Sequence, residues 1–253
     1  MINSLIRKEI PLSYKGEILY IMVLNFEYSI NNFIKKEFSK YINNDDLTHD
    51  QLNYLIFLIK SLGEMGLQDA YNSFRNACKN KNWTIRAIGA KYLYKYKEKE
   101  SFYFLEEFLK DSSWWVRKNA SLSLDRLAYE GIDVLVKTLN SQDKFAKEIS
   151  AYTLSSRSYF FYFKEKLLKE NKYLDGFHNL LTTKFGRVFL ERILLDNDIS
   201  SKHKINIIKD LKYSNYEDYF ITLLSREKLS KEIENSLEDI YFVGGGGFDE
   251  RIS

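Results

Sequence analysis

The chain has 253 residues, 45% apolar and 29% charged, with 38 lysines and arginines against 35 aspartates and glutamates for a net charge of +3. That apolar content is enough to bury a sizeable core, which excludes a disordered chain, and so small a net charge excludes a strong field for nucleic acid or an anionic membrane. One proline, Pro11, and eleven glycines, four of them at Gly244 to Gly247, leave almost nothing to break helices between residues 12 and 243, which argues against an all-β fold.

Residues 1–50 read as an amino-terminal helical cap. The run EILYIMVL, Glu17 to Leu24, is far short of the roughly twenty apolar residues that span a bilayer, and it is followed by no small-residue cleavage pattern. No direct membrane insertion is expected. Cys78 is the one cysteine and can form no internal disulfide. His49, His178 and His203 stand far apart with no cysteine pair beside them, so neither a metal site nor a cofactor is expected. A reducing, cytoplasmic setting fits.

Residues 51–170 carry an internal repeat of about 31 residues. NKNWTIRAIGAKYL (Asn80 to Leu93) aligns with DSSWWVRKNASLSL (Asp111 to Leu124), and that with SQDKFAKEISAYTL (Ser141 to Leu154). Ile85, Val116 and Ala146 form one apolar column, and Leu62, Leu93, Leu124 and Leu154 another. Ala90, Ser121 and Ala151, beside Gly89, Ala120 and Ser150, supply small residues where two helices must approach closely. In the segments between, Phe74, Leu105 and Leu135 keep the spacing, as do Cys78, Leu109 and Leu139. Each unit is thus two helices and two turns that cannot bury their apolar faces alone and must stack. The expected fold is all-α, an α-solenoid of antiparallel helix pairs.

The segment DSSWWVRKNASLSL…GIDVLVKTLNSQD, with its aspartate, Val-Arg pair and small-residue helix, resembles the short bacterial HEAT-like repeats. The resemblance implies that the arginine after the valine pairs with an acid of an inter-repeat turn. That places Asp111 with Arg117 in a structural ladder, with Asn80 and Arg86 as a weaker copy. It also implies a concave face lined by the second helices. The columns left free there are Arg75, Lys79, Tyr103, Glu106, Glu107, Lys110, Asp133 and Lys137. Trp114, in the column of Trp83, is expected to close the apolar seam between units, while Trp115 is the more exposed of the adjacent pair.

Beyond Leu154 the five aromatics from Tyr159 to Phe163 must point around a whole helical turn, and Tyr159 and Tyr162 with Trp115 are candidate anchors for a partner. Residues 171–242 keep helical apolar spacing but lose the period, as degenerate or capping repeats do. Residues 243–253, with four glycines and no Lys-Ser/Thr pair, read as a flexible tail rather than a phosphate loop.

No nucleophile elbow and no His-Glu-x-x-His motif occurs, so no enzymatic activity is expected. The mixed signs of the second-helix columns suit a protein or peptide partner better than a duplex, which needs a mostly basic stripe. The reading is a noncatalytic scaffold for protein–protein interaction. One alternative is a DNA-binding or alkylpurine DNA glycosylase-like solenoid, for which Trp114, Trp115 and Asp125 are the crude counterparts. The other is an accessory protein of a membrane glycosyltransferase system, suggested by the Trp-Trp-Val-Arg helix start.

Overall fold

In the computed structural model the described residues are 10–25, 27–96, 98–156, 159–169, 174–211 and 231. The tail 243–253 and most of residues 212–242 lie outside them. The described residues form thirteen α-helices and no strand. In order these are α1 (Leu12–Leu24), α2 (Asn31–Tyr41), α3 (His49–Met65), α4 (Tyr71–Cys78), α5 (Trp83–Tyr92), α6 (Lys99–Phe108) and α7 (Trp114–Arg126). They continue as α8 (Ala128–Thr138), α9 (Lys144–Ser156), α10 (Phe160–Lys169), α11 (Leu174–Leu181), α12 (Arg187–Leu195) and α13 (Ser201–Asp210). The fold is an all-α solenoid of stacked helix pairs.

Local chemistry sets the helix ends. Thr48 caps α3, accepting from the Gln51 N–H at 3.3 Å, while the Gln51 side chain accepts from the Thr48 N–H at 3.0 Å, so two otherwise orphaned donors are satisfied. Gly66 ends the helix at φ +59°, a left-handed conformation that costs glycine nothing. Asn80 and Asp111 hold equivalent places in the turns before α5 and α7. Each side-chain oxygen accepts the N–H two residues on, from Asn82 and Ser113, at 2.8 Å.

The chain divides into two compact units, one of residues 1–135 and 143–149, the other of 136–142 and 150–253. In the first, α1, α3, α5 and α7 form one row and α2, α4 and α6 the other. The repeat columns are its core: Ile85, Val116, Ala146, Leu62, Leu93, Leu124, Phe74, Leu105, Leu135 and Cys78 are all buried. In the second unit Leu139 and Leu154 are buried likewise. There α12 packs on α10 and α11, and the rings of Phe163 and Phe189 meet edge to face at 5.6 Å.

The two rows of the first unit are not equally close. Alpha-carbon contact is extensive from α1 to α3 and from α5 to α7, but α2 and α4 touch little and α4 and α6 less. Small residues explain it. The Asn119 amide of α7 donates to the Ala87 carbonyl of α5 at 2.8 Å, and the Ser123 hydroxyl to the Ala90 carbonyl at 2.5 Å. Side chains reaching a neighbour's main chain at that distance require near-touching backbones. In this unit the closer row is that of α3, α5 and α7, the helices that carry the Val-Arg position, and not that of the second helices.

Candidate functional site

Most of the second-helix candidates engage neighbouring side chains. Arg75 of α4 reaches Glu100 of α6 at 3.5 Å, Lys79 lies 5.7 Å from the centre of the Phe104 ring, and Lys110 pairs with Glu107 at 3.1 Å. Glu106 is half-buried, and Tyr103 is exposed, its ring 6.1 Å from that of Phe104. Asp133 and Lys137 are exposed on α8, Lys137 in the second unit. In the second unit the aromatic run divides: Phe160 and Phe163 are buried, Tyr159 and Tyr162 half-buried, and Phe161 faces solvent. The outward residue of that run is therefore Phe161, which the sequence reading did not single out.

The ladder exists, with different partners from those expected. Arg86 uses both edges of its guanidinium. One nitrogen donates back to the carbonyls of Asn80 and Lys81, at 3.0 and 2.7 Å, in the turn before its own helix. The other two reach forward to the Asp111 carboxylate of the next unit, Nε at 2.8 Å and the second Nη at 3.0 Å. Arg117 repeats only the backward half, donating to the carbonyls of Asp111 and Ser112 at 2.7 and 2.9 Å. The rung is thus Arg86 with Asp111, and the expected Arg117–Asp111 ion pair is not made. The aligned column explains this, for the next unit offers Ser141 where an acid is needed. The Arg117 guanidinium lies instead 4.6 Å from the centre of the Phe145 ring. Burial pushes the Asp111 carboxyl up, but the Arg86 hydrogen bonds and the Ser113 N–H outweigh it and hold its pKa below the ordinary value.

The tryptophans correct the sequence reading too. Trp83 and Trp114 are each 46% exposed, Trp115 53% and Phe145 56%. Ile85, Val116 and Ala146, one or two residues further along the same first turn, are the buried positions there, and the aromatics beside them are left outside. Trp114 and Trp115 meet edge to face at 4.9 Å, and the Lys118 ammonium lies 4.9 and 5.7 Å from their ring centres.

The same face continues toward the carboxyl ends of these helices in columns not singled out from the sequence, although the period of 31 reveals them. Lys60 of α3 is followed by Lys91 of α5; Glu64 by Lys95 and then Arg126 of α7. Lys60 lies over the rings of Phe57 and Tyr20, Lys91 over Tyr92, and Arg126 over Tyr94. Glu64 accepts from the Tyr92 hydroxyl at 2.8 Å and from Lys95 at 3.2 Å. Burial raises the Glu64 pKa, but these donors outweigh it and the net shift is downward. Burial and the neighbouring Lys91 charge both push Lys60 down.

Cys78 is buried, and burial pushes its thiol far above the ordinary range. Asp125 is buried on α7. Among the described residues no cluster of three or more histidines, cysteines and carboxylates could hold a metal, and no helix is long and apolar enough to cross a membrane.

Comparison with known proteins places this arrangement. No curated protein matches the chain. Among solved structures, the X-ray structure of YibA from Escherichia coli is 20% identical, with 85% of each chain covered and a TM-score of 0.36, a likeness too distant to carry an argument. The family model described as HEAT repeats matches residues 47–125. That segment opens just before α3 and closes in the last turn of α7, so it holds most of both faces described above but not Arg126, Asp133, Lys137 or Phe145. Residues 47–125 of this chain are thus similar to HEAT repeats.

Proposed function

We propose that the protein is a noncatalytic HEAT-repeat scaffold that holds a protein partner. The observation that carries this reading is the solvent-exposed aromatic edge of the first unit, Trp83, Trp114, Trp115 and Phe145, in a chain that buries its repeat columns completely. Large aromatics left in water at successive helix starts are the residue class that dominates interface hot spots. The groups whose acidity is shifted on this face, Asp111, Glu64 and Lys60, are each engaged by a neighbouring side chain of the framework. The work this surface does is therefore recognition without turnover.

The test is co-purification of tagged full-length protein from its native host, beside the double variant Trp114→Ala/Trp115→Ala. A protein retained by the unmodified chain and lost from a variant of unchanged circular dichroism is the expected result. A partner that disappears on nuclease treatment, or release of an alkylated base from methylated DNA, would overturn the scaffold reading in favour of the nucleic-acid one.

A further inference from the structure

The outward face of α3, α5 and α7 is organised in four columns spaced by the repeat. Leu52, Trp83 and Trp114 form the first, Ile56, the buried Ala87 and Lys118 the second, Lys60, Lys91 and Leu122 the third, and Glu64, Lys95 and Arg126 the fourth, Lys95 standing in the 3-10 turn Leu93–Lys95 that follows α5. Within each helix these positions are four residues apart, which keeps them on one side. The face thus grades from an apolar edge at the helix starts to a cationic band toward the helix ends. The band holds five cations, Lys60, Lys91, Lys95, Lys118 and Arg126, and one carboxylate, Glu64, which already serves Lys95. Among the described residues no salt bridge engages Lys60, Lys91, Lys118 or Arg126. Lys60 and Lys91 are close enough for one to depress the other's proton affinity. Like charges brought together on the closest-packed row leave an attraction for anions unspent.

Two kinds of polyanion could answer that attraction, and the aromatic rings discriminate between them. A single strand of nucleic acid would stack its bases on open ring faces. Here three of the four exposed rings have one of the chain's own cations over them, Lys118 over Trp114 and Trp115 and Arg117 over Phe145, and among the described residues only Trp83 of that edge has none. What remains free is ring edge and aliphatic surface next to unneutralised positive charge. That combination suits carboxylates and apolar side chains presented together on one element.

Building on the scaffold reading above, we infer that the face of α3, α5 and α7 docks an acidic amphipathic protein segment. Its carboxylates meet Lys60, Lys91, Lys118 and Arg126, and its apolar side chains lie on the edge formed by Leu52, Trp83, Trp114 and Trp115. The footprint is of the order of 800 Å² on this chain, a standard specific interface. The bound carboxylates would relieve the repulsion between Lys60 and Lys91, so affinity falls steeply with salt.

The experiment selects a displayed library of random sixteen-residue peptides on the full-length protein. The winners are then measured by fluorescence anisotropy against the unmodified chain and three charge variants, Lys60→Glu/Lys91→Glu, Lys118→Glu and, on the other row, Glu106→Lys/Glu107→Lys. Polyglutamate and an oligothymidylate of equal charge are the reference probes. The side chains changed are exposed or half-buried, and circular dichroism checks that each variant is folded. Expected are winners rich in both Asp/Glu and Leu/Phe, at least tenfold weaker on the first two variants, restored by Lys91→Arg in place of Lys91→Glu, and tighter than polyglutamate. Winners unaffected by the first two variants but altered by the Glu106/Glu107 change would overturn this face while leaving the scaffold reading intact. Oligothymidylate binding tighter than every peptide, or no peptide enriched at all, would overturn both.

Discussion

Arg86 grips Asp111 across two consecutive repeats with a forked pair of charge-assisted hydrogen bonds, 2.8 and 3.0 Å long, while the same guanidinium holds the two carbonyls of its own preceding turn. The side chains are 17% and 9% exposed, so removing one partner strands a largely desolvated charge. Arg86→Ala and Asp111→Ala are each expected to lose about 3 kcal/mol. The double variant should lose clearly less than their sum, since the two act through one contact. Urea denaturation followed by circular dichroism measures all three.

The depressed acidities fix a direction with pH. The folded-state pKa values of Asp111 and Glu64 lie below their unfolded values, so the unfolded chain binds protons more readily. Their contribution to stability is complete above the ordinary carboxylate pKa and is lost as pH falls through the folded one, below about pH 4. The denaturation midpoint should drop over that window. In Asp111→Asn the drop should be shallower from a lower starting point, because one titrating partner is gone.

Leu93, Leu124 and Leu154 are completely buried, each in its own repeat. Leu124→Ala is expected to cost about 2 to 5 kcal/mol, the range for a truncated core leucine whose cavity does not collapse. Thermal melts of Leu124→Ala beside Leu122→Ala, a half-buried neighbour on the same helix, separate loss of core volume from a general effect on α7.

The first turn of α8 predicts opposite outcomes three residues apart. A Cβ built on Gly131 would sit 1.8 Å from the Leu124 carbonyl oxygen, so Gly131→Ala must displace main chain and should cost about 3 kcal/mol. Ala128 adopts φ +54°, where a side chain is unfavourable. Ala128→Gly should stabilise by about 1 kcal/mol. Denaturation curves with the two shifts in the same direction would contradict this geometry.

The core was legible because a period of 31 fixes burial by itself: a column that recurs every unit occupies the same depth in every unit. The ladder was legible as residue types but not as pairs. Asp111 and Arg117 are six residues apart and look like partners, whereas Arg117 reaches only the main-chain carbonyls of that turn and the Asp111 carboxylate is taken by Arg86, 25 residues earlier. The tryptophans misled for a related reason. Recurrence shows that Trp83 and Trp114 share a setting, but not which side of the seam that setting is on. The closer row could have been found from Ala87, Ala90, Ala120 and Ser123, since only small side chains permit the approach seen between α5 and α7. The cationic columns then follow by adding 31 to Lys60 and Glu64.

The hydrogen bonds from Asn119 and Ser123 to the carbonyls of Ala87 and Ala90 also give this seam a mechanical character. Greasy contact is nearly indifferent to one helix sliding along another, because a methyl group leaving one hollow soon finds the next. The Asn119 amide and the Ser123 hydroxyl are seated on main chain instead, the hydroxyl between the carbonyls of Ala90 and Lys91 at 2.5 and 3.1 Å, and so mark one register of α7 along α5.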